Sequence, residues 1–305
     1  MKKKNLIGIE IGGTKLQIVR ADENLQIAEK ITLAVRRSQG ASGIRLQIED
    51  ALASLRRQGQ IDAVGIGFGG PVDRRNGKVL NSFQVEGWAD FPICEWIAEI
   101  TEAVSLLEND SNLAALAEGL LGAGRGSNPV FYTNLGTGVG GGLIVDGEIF
   151  HGRTTEAEIG HILVDDGGRT VEDVCSGIAI DERVRLSAAA NPEGFLAGQC
   201  RHATGGEARF LKNGIERGDP ASIAIVDEAA GRLAFALSHA SRLFDPELIV
   251  LGGGLSLIGE TWRGKVEKAL KRLHRDMPLN PPGVALSTLG ELVVPTGALL
   301  LASSS

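Results

Sequence analysis

The sequence predicts an α/β protein of two domains. Two glycine-rich strand–turn–strand segments, GIEIGGTK at 8–15 and NLGTGVGGG at 134–142, stand about half a chain apart with similar trailing text, QIVRADENLQI and LIVDGEIF, and read as an internal duplication. The first part follows the order β-β-β-α-β-α-β and closes on the helical stretch SNLAALAEGLLGAG, the signature of an α/β domain. A chain of 305 residues is long enough for two separate cores.

Each element has its own local reason. Residues 6–33 alternate apolar and polar as β-strands, with a turn at Asp22-Glu23-Asn24. IRLQIEDALASLRRQ at 44–58 has helical periodicity and stops at Gly59. AVGIGFGGPV at 63–72 is a buried strand entering a Gly-Pro loop, FPICEWIAEI at 91–100 an amphipathic helix, and VSLLEND at 104–110 a strand with a polar end. The second half restarts at Pro129. ASIAIVDEAAGRLAFALSHASRLF at 221–244 is a long alanine-rich helix after the turn GDP, and it stops before Asp245-Pro246. ELIVLGGGLS then gives a strand and a third glycine turn, and WRGKVEKALKRLH a solvated helix. No low-complexity linker intervenes, so the break is expected as a hinge near 111–125. The expected domains are 1–115 with a returning C-terminal helix at 293–305, and 116–292.

Composition narrows the function. A net charge of −7 with no pile-up of Lys and Arg gives no nucleic-acid footprint. MKKK before LIGIEIGG imitates a signal peptide, but Glu10 interrupts the apolar run and no cleavage site follows. No apolar run is long enough to span a membrane. Three scattered cysteines, Cys94, Cys175 and Cys200, suit a reducing cytoplasm.

The glycine turns are phosphate clasps, because backbone N–H groups can converge on an anion with no Cβ in the way. Paired in two similar halves, they suggest a nucleotide held in a cleft between domains; the plain alternative is two tight hairpins. Gly136, Gly138 and Gly141 match GxGxxG, but a strand follows where a dinucleotide fingerprint needs a helix, and no Walker A motif is present. Asn109-Asp110 stands where a strand gives way to a helix. Either residue suits a helix cap, and a carboxylate at that strand edge can also accept a proton from an attacking hydroxyl. Glu158 and His161, spaced i, i+3, share a face or simply meet solvent. Glu172 reads equally as a first-turn helix acid.

Together GIEIGGTK, GIGFGGPVD, Gly87-Trp88, ENDSNLAALAE, NLGTGVGGGLIVDGEIFHG, AEIGH, EDVCSGIAI, GDPAS and DPELIVLGGG resemble, over essentially the whole chain, the ROK family of sugar kinases in the actin/hexokinase/Hsp70 superfamily. The resemblance implies a two-domain actin-like ATPase (ribonuclease H-like) fold and ATP-dependent phosphorylation of a hexose hydroxyl, with Mg²⁺ on the nucleotide. Gly12, Gly13, Thr14 and Lys15 then form the first phosphate turn and Gly136, Thr137 and Gly138 the second. Gly252, Gly253 and Gly254 lie beside the adenosine. Asp110 becomes the general base, and Asn109, Asp110, Glu158, His161 and Glu172 bind the sugar. Glucose is the first expectation; fructose, mannose and N-acetylmannosamine remain alternatives, as does polyphosphate as donor. A cytoplasmic protein, often a homodimer, completes the picture.

Three departures from the family pattern stand out. Glu10 replaces a common Asp near the metal and phosphates, and Gln84 replaces an Asn associated with sugar preference. The cysteine cluster that many members carry after His161 is missing, with Thr170 in its final place and Cys175 outside the pattern. One His cannot make a tetrahedral site, so no zinc is expected. A family repressor would need a DNA-binding domain before the first turn, which begins at Gly8 in this sequence. A kinase fold that binds without catalysis is the other competing reading.

Overall fold

Apolar residues that run without a break from Leu6 to Ile11 make β1, and the Gly12-Gly13 turn folds the chain back as β2 (Lys15–Ala21), which β3 (Ile27–Ala34) extends antiparallel. The computed structural model describes residues 4–153, 157–275 and 280–305, so the first three residues of the basic start lie outside it. Two compact units result, Met1–Ala117 with Glu291–Ser305 and Glu118–Gly290, and the division falls inside a helix.

In the first unit, α1 (Gly40–Gln58) connects β3 to β4 (Ala63–Phe68), which pairs parallel with β1. The small hairpin β5 (Val72–Asp73) and β6 (Lys78–Val79) precedes α2 (Ile93–Thr101), β7 (Val104–Asn109) and α3 (Asp110–Leu121). The strand order is β3-β2-β1-β4-β7. Parallel strands covered on both faces read as continuous apolar runs, and β4 is buried along its whole length, whereas edge strand β3 alternates in exposure. Helix α1 buries Ile44, Ile48, Leu52 and Leu55 on one stripe. It begins a turn before the expected Ile44: Ala41 is buried and its N–H donates to the Glu86 carbonyl at 2.8 Å, but this turn has no apolar periodicity. The buried strand ends at Phe68 and enters the expected Gly-Pro loop at Gly69-Gly70-Pro71.

Four aromatic side chains cluster in this unit. Phe68, Trp88, Phe91 and Trp96 meet edge to face at centroid distances of 5.3, 5.5 and 5.6 Å. The terminal helix Val293–Ser303 packs against β1 and β4. Gly65 permits this approach, since a Cβ there would stand 1.9 Å from the Ala298 carbonyl oxygen.

The second unit repeats the plan. β8 (Val130–Leu135) turns at Gly136–Gly138 into β9 (Val139–Val145), and β10 (Glu148–Ile149) follows antiparallel. Helices α4 (Glu172–Cys175), α5 (Gly177–Ala190), α6 (Phe195–Cys200), α7 (Phe210–Glu216) and α8 (Pro220–Phe244) come next. Then β11 (Leu248–Gly253), α9 (Glu260–Leu273) and β12 (Gly283–Leu286) complete the order β10-β9-β8-β11-β12. Strand order and sense match the first unit, with two antiparallel neighbours on one side and two parallel on the other. Asp219 caps α8 by accepting the Ser222 N–H at 2.8 Å, Pro220 opens the helix, and Asp245 in the left-handed region ends it. Its alanine-rich face lies in the core with Trp262, Val266 and Leu270 of α9. The short elements α6, α7, β10 and β12 carry no sequence periodicity. Among the described residues no helix is long and apolar enough to cross a membrane.

Candidate active site

In the first unit the parallel strands β1, β4 and β7 end side by side: Ile11 pairs with Phe68 and Phe68 with Asn109. Ligands of open α/β sheets gather at this edge. Asn109 caps α3, its Oδ1 accepting the N–H of Ser111 at 2.8 Å and of Asn112 at 3.2 Å, while its amide donates to the Gly70 carbonyl at 3.3 Å. Capping therefore falls to Asn109 and leaves the Asp110 carboxylate for other work. Asp110 is half-buried, accepts the Ser111 hydroxyl at Oδ1 (3.2 Å), and has Oδ2 beside Gly69. Burial, and then the negative charge of Glu10, push its carboxyl up to about 6. A carboxylate so tuned is ionised at neutral pH yet basic enough to take a hydroxyl proton.

Glu10 faces Gln17 across the first hairpin. Gln17 is fully buried; its amide donates to Glu10 Oε2 at 2.8 Å and to the Glu291 carbonyl at 2.9 Å. Lys15 Nζ approaches the same Glu10 oxygen at 3.6 Å. Burial raises the Glu10 carboxyl, against the opposing pull of Lys15 and Gln17. A carboxylate oriented in this way beside an open glycine turn suits a hydrated divalent cation on a phosphate chain. Gly12 N–H donates to the Lys15 carbonyl at 3.0 Å and closes the turn. Gln84, expected near the sugar, lies over Gly13, and Arg37 bonds both the Gly13 carbonyl (3.0 Å) and the Gln84 side chain (3.4 Å).

In the second unit the turn Gly136–Gly138 is closed by the Gly136 N–H donating to the Gly138 carbonyl at 3.0 Å. The N-terminus of α5 abuts it, with the Gly177 N–H donating to the Gly136 carbonyl at 2.7 Å. A cavity of about 540 Å³ opens here, walled by Leu135, Ile178, Leu255 and Leu257 and floored by Gly136, Thr137 and Gly254. Lys212 and Arg209 also line it. Apolar walls for a flat base, with a glycine turn and a 14-residue helix N-terminus for phosphates, fit a nucleotide. Of the third glycine run only Gly254 lines the cavity. Gly252 ends against the Tyr132 ring, and Gly253 turns the chain at φ 80°, where a Cβ would meet Leu135.

The remaining expected residues surround a loop in the same unit. Glu158 precedes a single 3₁₀ turn, Ile159–His161, and its Oε2 lies 3.8 Å from His161 Nε2; both side chains are exposed. Glu172 opens α4 as a first-turn acid, and its Oε2 accepts the Val139 N–H at 2.8 Å, just past the second glycine turn. Thr170 bonds Asp173 by both N–H (2.9 Å) and hydroxyl (2.8 Å), while Cys175 is buried in the core with its thiol pushed up to about 12 by burial. Among the described residues, no three His, Cys, Asp or Glu side chains are grouped to hold a metal. Sequence reading overlooked Gln17, Asp181, Arg209 and Lys212. Gln17 could have been found by pairing it with Glu10 across the hairpin; Arg209 and Lys212 sit on helical segments of three and seven residues that lack any periodic signal, and Asp181, on the 14-residue α5, lines the cavity with them.

The chain is similar to known proteins over nearly its full length. The ROK family model matches residues 6–305. The glucokinase of Thermotoga maritima is 31% identical over 287 residues, 88% of this chain and 87% of that protein. The glucokinase of Halalkalibacterium halodurans is 30% identical over 276 residues, 86% and 83% of the two chains. A solved ROK family glucokinase from Streptomyces griseus, in complex with glucose and AMPPNP, is similar with a TM-score of 0.86 at 30% identity, covering 99% of this chain and 100% of that one. Two sheets of one topology, each opened by a glycine hairpin, are the actin-like ATPase (ribonuclease H-like) fold, and with a match that runs through both of them the chain belongs to the ROK family.

Proposed function

We propose that the protein transfers the γ-phosphoryl group of ATP to the 6-hydroxyl of glucose. The observation that carries the reading is Asp110: a carboxylate at the C-terminal strand edge, relieved of capping by Asn109 and tuned to about 6 by burial and Glu10. It accepts the hydroxyl proton as the sugar oxygen bonds to phosphorus and the bond to the bridging oxygen breaks, releasing ADP. Asn109, Glu158, His161 and Glu172 bind the sugar hydroxyls. The first turn, Gly12 to Lys15, and the second, Gly136 to Gly138, hold the phosphates, and the apolar cavity takes the adenosine, with Gly254 in its lining and Gly252 and Gly253 shaping the turn that leads to it. Glu10 would help to hold the Mg²⁺ of the nucleotide, which would supply charge neutralisation for the phosphoryl group. No zinc takes part. The unpaired cysteines suit the cytoplasm.

A coupled ADP-release assay with Mg-ATP against glucose, fructose, mannose, N-acetylglucosamine and N-acetylmannosamine tests the reading. One strong signal, from glucose, is expected. A strong signal from another sugar corrects the substrate, and silence across the panel with ATP binding intact replaces the kinase by a non-catalytic binder.

A further inference from the structure

Between His161 and Glu172 the chain makes a small antiparallel hairpin. Val171 N–H donates to the Ile162 carbonyl at 2.9 Å, Leu163 bridges Thr170, and Val164 N–H donates to the Arg169 carbonyl at 2.8 Å. His161 and Glu172 therefore leave its open end from neighbouring backbone positions. Its closed end carries Asp165, whose Oδ2 accepts from Arg169 Nε at 2.7 Å and whose Oδ1 accepts the Gly167 N–H at 3.0 Å. Two residues one turn apart on α8 grasp this hairpin: Arg232 donates to the Val164 carbonyl at 2.7 Å, and Glu228 meets Arg169 at 3.6 Å. Glu228 is in turn bonded by Arg183 of α5.

We propose that the Arg169–Glu228–Arg183 ion-pair chain, with Arg232, is a positioning device that clamps this hairpin to α8 and so sets His161 and Glu172 for the sugar. The inference rests on the assignment of those two residues as sugar ligands. An isolated exposed pair contributes little, and Arg169 is 47% exposed. Here one carboxylate serves two guanidiniums and the hairpin is also held through its backbone, so the charges act as a network. Hydrogen bonds from Arg183 and Arg169 hold the Glu228 and Asp165 carboxyls below their ordinary range, which keeps the network ionised. Glu172 also bonds the Val139 N–H just past the second glycine turn, an anchor that lies outside the ion-pair chain.

The test uses Arg169→Met, Glu228→Gln and the double variant, with glucose varied at saturating Mg-ATP and the reverse. Each single change is expected to raise the glucose KM about three- to tenfold, the double no more than the larger single, because the partners share one interaction. The ATP KM and kcat are expected to stay within about twofold. Added KCl raises the wild-type glucose KM but not that of the double variant. Hydrogen–deuterium exchange across 160–174 is expected to quicken in all three variants while α8 stays protected. Unchanged exchange, additive effects, or an equal rise in the ATP KM overturns the clamp. If His161→Ala and Glu172→Gln raise the glucose KM but the clamp variants do not, the clamp alone fails. If those two changes leave glucose binding untouched, the ligand assignment fails and the clamp's role falls with it.

Discussion

The turn at Gly12–Thr14 and the turn at Gly136–Gly138 close hairpins of one topology in sheets of one strand order, yet their surroundings differ in kind. Around the first stand Glu10, Lys15, Gln17 and, at the end of the next parallel strand but one, Asp110. Around the second stand a helix N-terminus, a run of apolar walls with Asp181, Arg209 and Lys212 among the lining, and the Glu172 carboxylate, which accepts a backbone N–H. One backbone plan thus carries a cluster of buried and half-buried polar groups in one copy and a largely apolar cavity in the other. The difference shows that a glycine turn specifies only where an anion can sit; the side chains on adjoining strands and helices decide what happens to it.

The comparison can be broken most sharply at Asp110. Asp110→Asn is expected to lower kcat by about 10²–10⁴, with the ATP KM nearly unchanged. Because burial and Glu10 disfavour the ionised carboxylate in the folded state, the same change leaves the melting temperature equal or higher, read by calorimetry. A smaller effect is expected in the second unit. Ile178→Glu places a like charge where phosphates and base enter, and should raise the ATP KM roughly tenfold or more while the glucose Kd, measured by titration calorimetry, holds. Away from either turn, Gly65→Ala forces a Cβ against the Ala298 carbonyl and should destabilise by about 1–3 kcal/mol in denaturant unfolding without altering KM values. Smallest is Gln17→Leu, which frees Glu10 from its amide and should raise the Mg²⁺ requirement about two- to fivefold, a loss of one modest hydrogen bond.

Much of this division was legible before the structure. Strand-borne features were the clearest, because period-2 alternation, glycine turns and the polar end of VSLLEND are local signals, and they located both hairpins and Asp110. The sequence did not separate Asn109 from Asp110, since either can cap a helix; only the bonds of Asn109 Oδ1 to two backbone N–H groups decide it. Lys212 and Asp181 reach the cavity from helices distant in sequence, and no pattern within α7, seven residues long, marks its lysine. Gln84 was singled out by its motif position alone. The structure adds its contacts, with the side chain on Gly13 and bonded by Arg37.

With Asp110 as the base, the pH dependence of kcat with glucose and saturating Mg-ATP follows its ionisation. The ionised carboxylate is the working form, so activity is expected to be full above pH 7 and to be lost as pH falls through about 6, by roughly tenfold per unit below that. Glu10→Gln removes a negative charge that raises the Asp110 carboxyl and should move this limb to lower pH. A kcat that stays level from pH 8 to well below the ordinary carboxylate range, or a limb that persists in Asp110→Asn, would contradict the account.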